Sequence, residues 1–311
     1  MATSKGSTGT PAPDIAAESG VSRRLELFNQ HRDLLFSIAY RMLGSVADTE
    51  DILQETFIRW QQAPDVEIKS PRAYLVTILT RLCLTYLESA QVRRQEYYGQ
   101  WLPEPLLTDL SDPISTALEV PESLSMAFLV LLERLTPMER GVFLLREVFD
   151  YDYDEVGQIL GQTEENCRQV LHRARLHVAE NRPRFDTSLE ERESLMKEFM
   201  QATAAGDLQR LVSMLSKDVI LHSDGGGKGP ALPKQILGAE KVARAMVGGS
   251  RKLVPRTLVT QMRQINGELG AVSYLDGRPH SVFTVDIIGG HIRNIYILSN
   301  PEKLAHLPRM N

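Results

Sequence analysis

Apolar residues recur at helical spacing through the first third of the chain. The run LELFNQHRDLLFSIAYRML repeats them on one face, which predicts a helix that ends at Gly44. Asp48 opens a second predicted helix whose apolar side reaches Trp60, and Pro71 lies near the start of a third. Residues 21–96 are therefore expected to form a helical unit.

The helical pattern is interrupted once and then gives way to alternating apolar residues. Prolines break residues 97–122, an expected linker, and helical spacing returns over residues 123–183. Residues 187–311 mix helices with strands separated by Asn-Gly, Asp-Gly and Gly-Gly turns, which is typical of an α+β domain. The predicted helices of this domain are residues 189–205, 208–215 and 239–247, and its strands are 218–222, 258–263, 271–275, 281–288 and 292–298. The expected fold class is thus multidomain, all-α and then α+β, behind a Ser-, Gly- and Pro-rich disordered tail at residues 1–20.

Composition narrows the class of protein. Hydrophobic content of 42% and charged content of 24% are ordinary for a globular protein, and no apolar run is long enough to span a membrane. The two cysteines, Cys83 and Cys167, are too few for a zinc site or a disulfide framework and are expected in the core. We expect a cytoplasmic protein without metal or cofactor. The net charge of −5 fits DNA binding only if basic residues cluster locally while acidic ones serve a protein partner.

A helix-turn-helix is the strongest local signal, in residues 152–178. A short helix ends at Leu160, Gly161 allows the tight turn, and Thr163 is placed to cap the next helix. That second helix has an apolar back, while its other side presents donors suited to bases and phosphates. A helical hairpin with a solvated charged face is the alternative interpretation.

Three ordered segments resemble extracytoplasmic-function (ECF) sigma factors. SVADTEDILQETFIRW resembles the part that binds the RNA polymerase core, and SPRAYLVTILTRLCLTYLESAQVRR resembles the −10 recognition and melting part. LERLTPMERGVFLLREVFDYDYDEVGQILGQTEENCRQVLHRAR is similar to the −35-binding region. The resemblance implies two partners, RNA polymerase core and promoter DNA, with residues 21–96 as sigma region 2 and residues 123–183 as sigma region 4.

The resemblance also implies roles for individual residues. The core-polymerase contacts would be Asp48, Glu50, Asp51, Gln54, Glu55 and Arg59. The −10 contacts would be Arg72, Tyr74, Arg81, Thr85, Arg93 and Arg94. The −35 contacts would be Thr163, Glu165, Arg168, Gln169, His172 and Arg173. Two positions depart from the family pattern, because Thr85 stands where an Asp is expected and Glu88 where a basic residue is expected.

Residues 187–311 extend beyond a minimal member of this family and resemble SnoaL-like domains, which are cone-shaped α+β barrels. The sigma-J-like subgroup carries such an extension, and WLPEP, DGGGK and NPEKL in this chain match that subgroup. The resemblance implies that the extension modulates the sigma factor in cis. The implied regulatory contacts are Trp101, Leu102, Pro103, Glu104, Pro105, Asp224, Gly225, Gly226, Gly227, Lys228, Asn300, Pro301, Glu302 and Lys303.

Two rival functions stay open at this stage. One is a stand-alone helix-turn-helix repressor, which would bind duplex DNA without polymerase. The other is a SnoaL-like isomerase or cyclase with a helical appendage. The candidate residues for a catalytic site or a small-ligand site in this domain are His222, Asp224, Tyr274, Asp276, His280 and Asp286. No spacing among them identifies a site.

Overall fold

The computed structural model describes residues 15–64, 68–95, 97–108, 124–179, 188–252 and 257–310. Helices α1 (Ile15–Leu43), α2 (Val46–Gln61) and α3 (Pro71–Gln95) form the N-terminal module. Two boundaries of this module differ from expectation. Helix α1 begins inside the expected tail, and α2 begins before Asp48 because the Ser45 hydroxyl accepts a hydrogen bond from the Asp48 N–H at 3.2 Å and so caps the helix earlier.

The second helical module comprises α4 (Met126–Leu132), α5 (Pro137–Phe143), α6 (Tyr153–Leu160) and α7 (Glu164–Ala179). A π-helical turn, Leu144–Val148, follows α5. Capping boxes at Thr136 and Asp152 begin α5 and α6, since each side chain accepts from the N3 backbone while the N3 glutamate returns the bond. The buried residues of both modules form one continuous hydrophobic core, so the two modules pack together.

The C-terminal domain begins with α8 (Leu189–Ala205) and α9 (Leu208–Met214). Its strands are β1 (Leu215–Asp224), β2 (Ile236–Leu237), β3 (Val259–Ile265), β4 (Glu268–Leu275), β5 (Arg278–Ile288) and β6 (His291–Leu298), with α10 (Ala239–Lys252) between β2 and β3. They form one six-stranded sheet in the order β2-β1-β6-β5-β4-β3, in which only β1 and β6 run parallel. This is the expected fold class, all-α modules followed by an α+β domain.

The two faces of the sheet have different partners. Helices α8, α9 and α10 cover one face and enclose an apolar core in which Phe199 and Phe283 stack at 5.9 Å. The opposite face packs against α4 and the extended segment of residues 97–108, which we call the strap. The strap thus lies between the helical modules and the sheet. No helix in the described ranges is both long and apolar enough to cross a membrane.

Candidate nucleic-acid and regulatory interfaces

Helix α7, the candidate DNA-reading helix, has two faces that differ in burial. Cys167 and Val170 are buried against the rest of the second module. Gly161 ends α6 in the left-handed conformation at φ 68°, and the Thr163 hydroxyl accepts from the Asn166 N–H at 3.2 Å. The turn and the cap expected from the sequence are therefore present. The six candidate −35 residues are all exposed: Thr163, Glu165, Arg168, Gln169, His172 and Arg173.

The arginines of this face make weak contacts that DNA can replace. The Arg168 guanidinium lies 2.8 Å from a Glu164 carboxylate oxygen and 4.7 Å from the centre of the Tyr153 ring. Arg173 lies 3.9 Å from Glu139. Both arginine side chains are more than half exposed, so these ion pairs contribute little to stability. Each guanidinium can exchange its present partner for a phosphate or a base edge.

The acidic face of α2 borders a groove with an apolar floor. Phe28 and Phe57 lie 4.9 Å apart between α1 and α2, and the exposed Leu25 lines the same groove. The groove measures about 260 Å³ and is lined by Leu25, Phe28, Asn29, Arg32, Glu50, Asp51, Leu53, Gln54 and Phe57. The sequence indicated its acidic rim but not its apolar floor. Three other candidate core-polymerase contacts lie outside the groove lining. Asp48 and Glu55 are half-buried, and Arg59 forms an ion pair with Glu55 at 2.8 Å.

Two of the candidate −10 residues of α3, Arg72 and Arg81, contact the second module. Arg81 donates hydrogen bonds to the carbonyls of Ile159 at 2.9 Å and Gln158 at 3.1 Å, at the end of α6. Arg72 lies 5.6 Å from the centre of the Tyr151 ring. The second module thus occupies two of the guanidinium groups that the family resemblance implies for −10 recognition.

The remaining −10 candidates are not gathered into one site. Tyr74 is half-buried with its ring 5.7 Å from Trp60, and the exposed Thr85 hydroxyl donates to Arg81 O within α3. Glu88 is exposed. The side chains of Arg93 and Arg94 lie outside the described residues.

Two buried arginines reinforce the contact between the modules. Arg140 of α5 donates to Met42 O of α1 at 2.6 Å and to the Glu133 carboxylate at 2.7 Å. Burial lowers the pKa of the Arg140 guanidinium to about 9, and burial also lowers the pKa of Arg41 to about 10. Arg41 lies 5.6 Å from the centre of the Phe149 ring. Because a buried charge is costly when its partners leave, these side chains favour the packed arrangement.

Asp224 is the centre of a clamp that holds the strap on the sheet. Its carboxylate is fully buried and accepts from the Tyr97 hydroxyl at 2.7 Å, the Leu102 N–H at 2.9 Å and the Lys303 ammonium at 2.8 Å. Lys303 also donates to Leu102 O at 2.5 Å and lies 4.1 Å from the centre of the Trp101 ring. Burial and the bond to Asp224 raise the pKa of the Tyr97 phenol. WLPEP, DGGGK and NPEKL therefore meet at one buried ion pair.

The glycines of DGGGK are needed because the chain is crowded there. A Cβ on Gly225 would lie 2.4 Å from Gly229 O, and one on Gly226 would lie 2.3 Å from the Asn300 amide nitrogen. Asn300 donates to the Tyr97 hydroxyl at 2.9 Å. The exposed residues of DGGGK and NPEKL contribute less to the clamp. Lys228 and Glu302 form a surface ion pair, and Gly227 and Pro301 face solvent.

The other side of the strap contacts the junction between α1 and α2. The Glu104 N–H donates to Gly44 O at 2.8 Å, and the Tyr40 hydroxyl donates to Glu104 O at 2.6 Å. The Trp101 ring lies so close to Gly44 that a Cβ there would be 2.9 Å from it. The prolines Pro103 and Pro105 of the strap are buried. The strap therefore joins the N-terminal module to the sheet.

Candidate catalytic residues of the C-terminal domain lie on the sheet face that packs against α4 and the strap. His222 stacks on Tyr296 at 5.0 Å and lies 3.3 Å from the Asn294 carbonyl oxygen, and Asn294 donates to Asp286 at 2.9 Å. Burial lowers the pKa of His222 and raises the pKa of Asp286. The apolar core under α8 to α10 contains none of these groups.

The three remaining candidates do not join this network. Tyr274 is buried on the same sheet face, within the cluster that includes Leu102 of the strap. Asp276 is exposed in the tight turn between β4 and β5, and His280 is half-buried on β5. In the described part of the chain, no group of three or more His, Cys, Asp or Glu residues is placed to hold a metal ion.

Comparison with known proteins matches these modules to a family. The family model for Sigma-70 region 2 matches residues 27–93, and that for Sigma-70, region 4 matches residues 125–178. The ECF RNA polymerase sigma factor SigJ of Mycobacterium tuberculosis is 36% identical over 294 residues, which cover 90% of this chain and 93% of SigJ. This chain belongs to the ECF sigma factors. A probable ECF sigma factor, SigI of the same organism, is 29% identical over 279 residues, covering 89% of this chain and 93% of SigI.

A solved structure supports the arrangement of the whole sigma factor. The crystal structure of Mycobacterium tuberculosis SigJ matches with a TM-score of 0.74 at 34% identity and covers 90% of this chain and 98% of that chain. The N-terminal module is thus sigma region 2, the second module is region 4, and the protein directs RNA polymerase to promoters. The repressor and the enzyme are not favoured.

Proposed function

We propose that this sigma factor is held in a closed form by contacts between regions 2 and 4, and that its C-terminal domain governs that form through the strap. The observation that carries the proposal is the position of Arg81, whose guanidinium is bound to the carbonyl end of α6. A −10 contact cannot be made by a side chain that region 4 already occupies.

Promoter geometry supports a separation of the two regions. The −35 and −10 elements lie roughly 25 base pairs apart, which is roughly 85 Å of duplex at about 3.4 Å per base pair. Regions 2 and 4 share one hydrophobic core here and cannot span that distance together. Binding to polymerase and promoter would therefore select an open form in which the regions separate.

We assign the α1–α2 groove to the polymerase core and the exposed face of α7 to the −35 element. The groove combines an apolar floor with an acidic rim, which suits a basic, partly apolar protein surface. For the −10 element we propose Arg72, Tyr74, Arg81 and Thr85, with Arg93 and Arg94 beyond them on α3. As a sigma factor the protein would work in the cytoplasm, where polymerase is.

Reversing a charge in the groove tests the polymerase assignment. Asp51→Lys is expected to weaken binding to purified core polymerase about tenfold, because a rim aspartate would face a positive surface. Run-off transcription should fall with it, whereas binding of a −35 duplex should not change. The control is Glu190→Lys, at an exposed glutamate on α8. Equal polymerase binding by Asp51→Lys and the unmodified chain would contradict the assignment.

The −35 assignment predicts a particular salt dependence. Arg173→Ala is expected to weaken binding to all −35 duplexes alike and to reduce the slope of log affinity against log salt by about one, because one phosphate contact is lost. A titration by fluorescence anisotropy at several salt concentrations measures this. A change that depends on base sequence would instead assign Arg173 to base reading.

We propose no catalysis by the C-terminal domain. Its polar network joins His222, Asn294 and Asp286, and the side chains of His222 and Asp286 are buried on the sheet face that packs against α4 and the strap. A second candidate function of the C-terminal domain is to sense a small ligand at its interface with the strap. A ligand that displaced the strap would act on the sigma regions directly.

A further inference from the structure

The carboxylate of Glu104 lies at the N-terminus of α2, although Glu104 belongs to the strap. It accepts hydrogen bonds from the Ser45 hydroxyl at 3.0 Å, the Val46 N–H at 2.7 Å and the Ala47 N–H at 3.3 Å. The residue is 8% exposed, and no salt bridge to it occurs within the described ranges. The hydrogen-bond donors to this buried carboxylate in that part of the chain all lie at the N-terminal end of α2.

Such a position stabilises a helix for two reasons. The first N–H groups of a helix have no partner within it, and the helix dipole places partial positive charge at that end. Ser45 already caps α2 by accepting from the Asp48 N–H. The glutamate therefore satisfies further N–H groups that the local sequence leaves open, and it does so from a segment that is remote in sequence.

The same stretch of strap is fixed by the C-terminal domain. Leu102 is held through its N–H by Asp224 and through its carbonyl by Lys303, and Pro105 O is bound by His306 at 2.8 Å. The amide of Asn266, in the β3–β4 turn, donates to the Tyr40 hydroxyl at 2.8 Å, and that hydroxyl in turn donates to Glu104 O. If the C-terminal domain released the strap, Glu104 would lose the anchors on both sides of it.

We infer that Glu104 is a positioning residue that couples docking of the C-terminal domain to helix α2, so that the docked domain supports polymerase binding. The inference rests on the proposed function, which makes α2 the polymerase-binding helix. The inference therefore predicts that docking of the C-terminal domain raises the affinity for polymerase core. The clamp at Asp224 strengthens the interaction with polymerase core, and the inhibitory contact is the separate one between regions 2 and 4.

A double-mutant cycle on the full chain tests the coupling. Glu104→Gln keeps the shape and removes the charge, and Asp224→Asn weakens the clamp without touching α2. Each single variant is expected to bind core polymerase about three- to tenfold more weakly, the range expected for a helix-end charge. The double variant should bind no more weakly than Glu104→Gln alone, because both changes remove the same interaction. Glu190→Gln, at an exposed position, is the matched control.

Hydrogen exchange separates positioning from general destabilisation. In Glu104→Gln the amides of Val46 and Ala47 should exchange faster while the amides of the sheet keep their protection, and binding of a −35 duplex should be unchanged. Normal polymerase binding by Glu104→Gln, multiplying effects in the double variant, or faster exchange throughout the chain would overturn the inference. Failure of the unmodified chain to bind core polymerase would overturn the proposed function as well.

Discussion

Replacing Asp224 with alanine is expected to destabilise the docked strap by about 3–5 kcal/mol, the usual cost of leaving one member of a buried ion pair alone. Lys303 would keep its charge at 8% side-chain exposure after losing the Asp224 carboxylate, while it still contacts Leu102 O and the rings of Tyr97 and Trp101. The Tyr97 hydroxyl and the Leu102 N–H would lose their acceptor at the same time. The strap should therefore leave the sheet before the C-terminal domain unfolds.

Tryptophan fluorescence during urea unfolding measures this effect. Trp101 belongs to the strap and lies beside Lys303, so its emission should shift to longer wavelength at lower urea than in the unmodified chain. A Trp101→Phe variant identifies the part of the signal that comes from Trp60, the other of the two tryptophans. Proteolysis within the strap should accelerate in parallel.

Two further variants control for the loss of charge. Lys228→Met breaks an ion pair whose side chains are 56% and 68% exposed, and it should cost less than about 1 kcal/mol. Asp224→Ala combined with Lys303→Met should recover much of the lost stability, because replacing both members of a buried pair with apolar groups is often neutral. A double variant as unstable as Asp224→Ala would show that the charge pair is not the source of the effect.

Local features of the helix-turn-helix could be predicted from the sequence, since they depend on neighbours within a few residues. Gly161 takes the left-handed conformation that ends α6, and Thr163 caps α7. The Asn-Gly, Asp-Gly and Gly-Gly turns likewise occupy left-handed conformations between β3 and β6. The predicted start of α2 at Asp48 was wrong. Helix propensity does not reveal that the Ser45 hydroxyl accepts a hydrogen bond from the Asp48 N–H and so caps the helix earlier.

Contacts between modules could not be predicted in the same way. The sequence presents Asp224 and Lys228 as equivalent charged ends of one glycine-rich loop, yet Asp224 is fully buried and Lys228 is exposed. What separates them is the pairing of β1 with β6, which brings Asp224 opposite Leu298, only a few residues before Lys303. Nor does any periodicity indicate that Arg81 binds α6 or that Glu104 reaches α2, since both partners are distant in sequence. The family resemblance identified the motifs, but only the folded structure shows which distant residues they contact.

Placing a charge in the contact between regions 2 and 4 is expected to open the closed form. Leu84 of α3 is 9% exposed, and its Cδ2 lies 3.6 Å from where a Cβ on Gly141 of α5 would be. If the regions separated, this side chain would face water. Leu84→Lys should therefore cost the closed form about 2–3 kcal/mol relative to the open form, which is about thirtyfold or more in their ratio.

Small-angle scattering provides the measurement, because an open form has a larger radius of gyration. Transcription by Leu84→Lys should rise at limiting polymerase, since Arg72 and Arg81 become free to contact the promoter. Ser89→Lys, at an exposed position on the same helix, is the control for added charge. An unchanged radius with lower thermal stability would mean that Leu84 serves the core of region 2 and not the contact. A larger radius without more transcription would mean that opening is not the step that limits transcription by this sigma factor. Its activity would then be regulated through the strap and through α2, the helix that Glu104 caps.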